Sequence, residues 1–195
     1  MFATLNDLLV PMAAATPGSG EIFASEFFGT AILLMFGVGT CCTNNLLKSK
    51  GYGGGWLMIN FGWGLAVYMG VYAAYKTGGH LNPAVTIMKA VWHGLDSKVT
   101  LNGPSIADGG IPVTGTNVCI YIIAQLLGAM VGALIAYLAY KKHFDLQMDD
   151  PSPKLWCFST APEVRSYGWN TLTEIIGTFG LLAFVMVSGG TPTQV

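Results

Sequence analysis

Four apolar stretches dominate this chain, and each is long enough, or nearly so, to cross a bilayer. The hydrocarbon core is ~30 Å thick and takes about 20 helical residues to span. The stretches run from Ile22 to Leu47, Trp56 to Tyr75, Asn117 to Tyr140 and Asn170 to Ser188. Backbone in lipid must satisfy its own hydrogen bonds, which leaves only helices or a closed barrel. Runs of this length choose helices. Composition agrees: of 195 residues, 52% are hydrophobic and only 10% charged, against roughly a quarter charged in a soluble domain. The formal net charge of -1 leaves no basic footprint for nucleic acid.

The residues that interrupt the apolar pattern say more than those that make it. Between the second and third spans, "GGHLNPAVTIMKAVW" (Gly78 to Trp92) turns glycine-rich and then starts a helix. Asn82 suits the N-cap, and Pro83 suits the first helical position, where its missing N–H costs nothing. The helix expected next, Ala84 to Trp92, has nine residues. At 1.5 Å per residue that is roughly 13 Å, about half a bilayer. Before it, Thr77 to Leu81 is poorly helical, and its glycines permit an extended strand with free carbonyls. The pattern predicts a re-entrant loop that enters the membrane unwound and returns as a half-helix. Such backbone is tolerated at depth only where protein buries it or a watery cavity lines it.

That geometry would make a binding path. The carbonyls of Gly78, Gly79, His80 and Leu81 form a ladder of acceptors for an O–H donor. If Asn82 caps its own helix through its oxygen, its NH2 is left to donate to a permeant. The helix start at Pro83 and Ala84 adds about half a positive charge, which favours small neutral hydroxylic molecules and opposes cations. An ordinary aqueous cap is the competing account of Asn82-Pro83. Its placement directly after a complete span argues against that account. His80 could be a ligand or proton relay, but no second ligand stands at metal spacing. A hydrogen-bonded structural histidine is the better reading, and no metal or cofactor is expected.

Two carboxylates also need a reason. Glu26 and Glu174 each sit near the start of an otherwise uncharged span. A carboxylate at the interface could simply stay wet; a deeper one needs donors, because charge in hydrocarbon is costly. The backbone N–H groups of an irregular segment would serve, and the Gly78–Leu81 stretch offers them to Glu26. The two spans also echo each other, "SEFFGTAILLMFGVGT" (Ser25 to Thr40) against "TEIIGTFGLLAFVMVS" (Thr173 to Ser188). Two spans lie between the copies, so the second enters from the opposite side, as in an inverted-topology repeat. Gly128 and Gly132 in "GAMVGA" make a G-x-x-x-G face for close helix packing.

The remaining features are plainer. Cys41, Cys42, Cys119 and Cys157 form no C-x-x-C pair and are expected as buried small residues. The N-terminal residues up to about 20 lack the basic region of a secretory signal and form a leader. The expected units are 1–20, the leader; 21–143, a first repeat with three spans and the re-entrant loop; 144–169, an aqueous connection; and 170–195, the first span of a second repeat. No nucleophile–base pairing is present, so an enzymatic reading has no support.

"GGHLNPAVT" resembles the first Asn-Pro-Ala loop of the aquaporin, or major intrinsic protein, family. "SEFFGTAILLMFGVG" resembles its first helix and "AQLLGAMVGA" its third, and the likeness covers Glu21 to Gly190. "GWGLAVYMGVY" is similar to the glycerol-facilitator branch, which implies that Trp63 forms one wall of the narrowest constriction; an interfacial belt residue is the alternative. The resemblance implies an all-α membrane protein, an aquaporin-like inverted-repeat bundle in the plasma membrane. It further implies a homotetramer, with passive conduction of glycerol and other small neutral polyols, with water, through each subunit.

The chain departs from that pattern in several places. The family has a second Asn-Pro-Ala half-helix followed by an Arg, which this C-terminally truncated sequence does not reach. Glu174 therefore lacks the loop that the family has it support. The interval from Trp63 to Asn82 is one residue short, and Thr100 to Gly115 resembles an insertion. A cytoplasmic N-terminus, as the family implies, puts most Lys and Arg outside, against the positive-inside rule. The chain alone is expected not to conduct selectively. The alternatives are a non-conducting fragment or structural membrane protein and, with less support, a secondary transporter.

Overall fold

The computed structural model describes residues 15–188; most of the expected leader, and 189–195 of the expected last unit, lie outside the described residues. Seven α-helices follow in order: α1 Ser19–Asn45, α2 Gly55–Ala73, α3 Pro83–Leu95, α4 Gly115–Ala139, α5 Lys141–Phe144, α6 Ser152–Leu155 and α7 Tyr167–Ser188. No strand occurs among the described residues. Helices α1, α2, α4 and α7 are long and apolar enough to cross a membrane, and they coincide with the four apolar stretches. The connection expected to be merely aqueous carries α6, a single turn.

The helix ends follow local chemistry. Helix α1 starts slightly earlier than the hydrophobic run because Glu21, in its first turn, accepts the Gly18 N–H at 2.9 Å, a placement the helix dipole favours. Helix α3 is longer than expected: thirteen residues instead of nine, roughly 20 Å at 1.5 Å per residue. Its last turn is held by His93, whose Nδ1 lies 2.8 Å from the Val99 carbonyl in the following loop. It is still too short to span a bilayer.

Helix α1 is the centre of the bundle, with α4 along one side and α2 along another. The G-x-x-x-G face of α4 meets α1 directly. A Cβ added to Gly128 would stand 2.3 Å from the Phe27 carbonyl oxygen, and one on Gly132 would stand 2.3 Å from that of Ala31. Only hydrogen at those positions lets the two backbones approach so closely. At one end of the bundle Val38, Cys42, Leu46, Ala136 and Cys157 form a buried cluster, and His143 Nδ1 lies 3.0 Å from the Leu47 carbonyl. At the other end Ile22, Leu101, Ile111 and Tyr121 close a second cluster. Of the cysteines, Cys42 and Cys157 are buried and Cys41 half-buried, but Cys119 is exposed on α4, contrary to expectation. Its neighbours Tyr121 and Ala124 take the inward face of that helix.

Helix α7 is different. None of its residues is buried, and its main neighbour is α3.

Candidate functional site

The site begins where α2 stops. After Ala73 the chain makes a single 3-10 turn, Tyr75–Thr77, and then Gly78 turns left-handed at φ +85°. The Gly79 N–H returns to the Ala74 carbonyl at 3.0 Å and the Gly78 N–H to that of Tyr75 at 3.1 Å, the double closure of a Schellman motif. Gly79 (φ +56°) and Leu81 (φ +54°) are also left-handed. The expected extended strand is therefore corrected to a tight left-handed path. An extended strand would carry the chain onward, whereas this segment must reverse from the end of α2 into the start of α3.

Leu81 pays no glycine's discount for that conformation; for a side-chain-bearing residue it costs about 1–3 kcal/mol and persists only where surroundings impose it. Glu26 imposes it. Its carboxylate is fully buried and receives four donors. The Thr77 hydroxyl (3.0 Å) and the His80 N–H (3.1 Å) reach Oε1. The Leu81 N–H (2.9 Å) and the Gln125 amide (2.9 Å) reach Oε2. The Leu81 side chain fits into a gap made by missing side chains: a Cβ on Gly29 would lie 2.7 Å, and one on Gly70 2.8 Å, from its methyl carbons.

His80 is held on both ring nitrogens. Its Nε2 lies 2.6 Å from the Leu101 carbonyl, which can only accept, so Nε2 carries the proton. Nδ1 is then the acceptor for the Thr86 hydroxyl at 3.0 Å, and Gln125 donates to that hydroxyl in turn, also at 3.0 Å. The ring rests on Tyr121, centroids 4.7 Å apart, whose own hydroxyl donates to the Thr77 carbonyl at 2.7 Å. This is a fully engaged side chain with no ring nitrogen free for a ligand.

Asn82 caps α3, its Oδ1 accepting the Ala84 N–H at 2.9 Å with Pro83 in the first position. Among the described residues its NH2 makes no hydrogen bond, and the carbonyls of Gly78, Gly79, His80 and Leu81 accept none. Four acceptors and one donor thus stand in sequence, unspent, beside the start of a half-helix.

Two expected site residues stand apart from this cluster. Trp63 packs on α1, where a Cβ on Gly37 would overlap its ring at 2.4 Å, and its indole N–H points at Cys41 Sγ, 3.3 Å away. Gly37 is eleven residues beyond Glu26, roughly 16 Å farther along the helix. Glu174 is exposed on α7 with no hydrogen-bond partner among the described residues, so the donors expected for both glutamates are found only at Glu26. Thr77, Thr86, Tyr121, Gln125 and Leu101 complete the polar core and were not singled out from sequence. Gln125 and Tyr121 are polar interruptions of an apolar span and could have been; Leu101, acting through its carbonyl, carries no such signal.

The pattern of the family described as MIP, major intrinsic protein, matches residues 15–101 and 109–195. The chain belongs to the major intrinsic protein family. This MIP chain is 43% identical over 170 residues to the "Probable glycerol uptake facilitator protein" of Thermotoga maritima, covering 87% of this chain and 64% of that protein. It is 40% identical over 168 residues to the "Glycerol uptake facilitator protein" of Bacillus subtilis, covering 86% and 54% respectively. It is 35% identical over 170 residues to the protein of that name from Streptococcus pneumoniae strain R6, covering 87% and 64%. The MIP chain thus spans between about half and two thirds of the length of these relatives. No solved structure matches it significantly. With four spanning helices and this family, it is an all-α, multi-pass membrane protein of the aquaporin-like fold.

Proposed function

We propose that this MIP chain is the first repeat, with the first span of the second, of a passive channel in the plasma membrane. The permeants are glycerol and other small neutral polyols, with water, and the protein works as a homotetramer without chemical turnover. The observation that carries the reading is the re-entrant segment itself. Among the described residues, four consecutive carbonyls, Gly78 to Leu81, and the Asn82 NH2 are left without partners while the N–H groups of those same four residues are all tied down. Unpaired backbone at membrane depth is stable only where a polar path supplies the partners.

In this account the carbonyls accept from the hydroxyls of a permeant while the Asn82 NH2 donates to its oxygen. The electropositive start of α3, at Pro83 and Ala84, repels cations and protons. Glu26 holds the His80 and Leu81 carbonyls in place through the N–H groups of those two residues, while the Gly78 and Gly79 N–H groups are tied back to the Tyr75 and Ala74 carbonyls. Trp63, with one edge packed on Gly37, offers its half-buried ring to the carbon chain of a polyol. Glu174 has the equivalent supporting role toward the opposite half of the pathway. The names of the relatives support glycerol as the principal solute.

The test is stopped-flow swelling of proteoliposomes containing the product of the whole open reading frame that encodes this chain. Glycerol permeability well above that of empty vesicles, strongly reduced by Asn82→Asp, is the expected result. Permeability equal to empty vesicles refutes the channel. Saturable uptake that collapses with the ion gradient would mark a secondary transporter instead.

A further inference from the structure

The loop between α3 and α4 walls the re-entrant segment on the side away from Glu26. Its residues 102–108 lie outside both stretches that the family pattern matches. It is a built structure. The Leu101 N–H reaches the Ile111 carbonyl at 3.0 Å, and the Ile111 N–H returns to Asn102 Oδ1 at 2.7 Å. Thr100 Oγ1 donates to the Pro104 carbonyl at 2.7 Å, and the Gly110 N–H to that of Ser105 at 2.8 Å. Leu101 and Ile111 are both fully buried, wedged against Ile22 and Tyr121. A loop closed this tightly and anchored in the core can bear on its neighbour.

It does so at three points. The Leu101 carbonyl accepts the His80 imidazole N–H at 2.6 Å. The Asn102 Nδ2 donates to the Lys76 carbonyl at 3.3 Å while also reaching that of Gly109 at 3.3 Å. Gly78 lies so near that an added Cβ would stand 2.9 Å from the Asn102 Cα. Two of the four residues with free carbonyls, Gly78 and His80, are therefore fixed on one side by Glu26 and its partners and on the other by this loop.

We propose that the 100–111 loop is a clamp that sets the geometry of the Gly78–Leu81 carbonyl run, with Asn102 as its positioning residue, and through it the preference among neutral solutes. The selectivity half of this rests on the channel reading above. A longer permeant with several hydroxyls must meet several carbonyls at once, so it depends on their spacing more than water does. Loosening the clamp should then alter the glycerol-to-water ratio, not merely the overall rate.

The experiment uses Asn102→Asp in the product of the whole open reading frame. The carboxylate keeps the acceptor for the Ile111 N–H but sets a bare oxygen against the Lys76 and Gly109 carbonyls. Ser105→Ala, which removes only an internal loop contact to Asp108, is the control. Amide exchange across 77–82 should quicken roughly three- to tenfold in Asn102→Asp, the range that loss of one neutral hydrogen bond allows. The ratio of glycerol to water permeability should shift in the same variant, and both should stay unchanged in Ser105→Ala. Unaltered exchange overturns the clamp. Faster exchange with an unaltered ratio, or both permeabilities falling by one common factor, overturns the role in selectivity. A parent protein that moves neither solute sinks the channel reading, and the exchange rates still decide the clamp.

Discussion

Helices α1 and α7 carry the same short pattern, Glu-x-x-Gly-Thr, in opposite surroundings. In α1, Glu26 is buried under four donors, Gly29 lies against Leu81 and Gly70, and Thr30 is buried, its hydroxyl on the Glu26 carbonyl at 2.7 Å. In α7, Glu174 is exposed, nothing lies within 4 Å of a Cβ on Gly177, and Thr178 is exposed. The pattern is therefore not a stable unit by itself. It is one half of a joint whose other half is irregular backbone, and only α1 has that half in place.

The comparison can be broken position by position. The largest effect belongs to the carboxylates. Glu26→Ala leaves the buried His80 and Leu81 N–H groups without an acceptor, takes one acceptor each from Thr77 and Gln125, and should destabilise the chain by about 4 kcal/mol or more. In the 195-residue chain by itself, where Glu174 is exposed and meets no donor among the described residues, Glu174→Ala should be neutral within about 0.5 kcal/mol. Reversible unfolding in mixed micelles, followed by circular dichroism, measures both. Equal losses would mean that α7 is covered after all.

The glycines come next. Gly29→Ala drives a methyl into Ala74, Leu81 and the Gly70 carbonyl and should cost about 1–3 kcal/mol. Gly177→Ala meets open space and should raise stability by up to about 1 kcal/mol through helix propensity alone. The opposite signs are the sharper outcome, since a general intolerance of α7 to substitution would give losses at both. Smallest are the threonines. Thr30→Val forfeits a buried hydrogen bond at the same shape, about 1 kcal/mol, whereas Thr178→Val should fall within the error of the same measurement.

The spans were legible because lipid imposes a single rule, length of apolar run, and the chain obeys it from Ile22 to Ser188. The break at Gly78–Pro83 was legible because glycine, asparagine and proline each have one strong local preference. The path between them was not. Left-handed Leu81 is dictated by Glu26, 55 positions away, and no local propensity encodes that. The end of α3 was misplaced because His93 is tied to a loop whose fold rests on Leu101 and Ile111 inserting under Tyr121. Asn102 was invisible for the same reason: its importance comes from which carbonyls happen to surround it.

The donors that satisfy Glu26 are encoded 51 to 99 residues downstream of it. While the ribosome is still making α2, the nascent first helix presents a carboxyl group to the membrane with nothing to bind it. It cannot settle into lipid alone at small expense. A first helix lying in lipid before the re-entrant turn and Gln125 arrive would carry that cost uncompensated, and the finished contacts remove it.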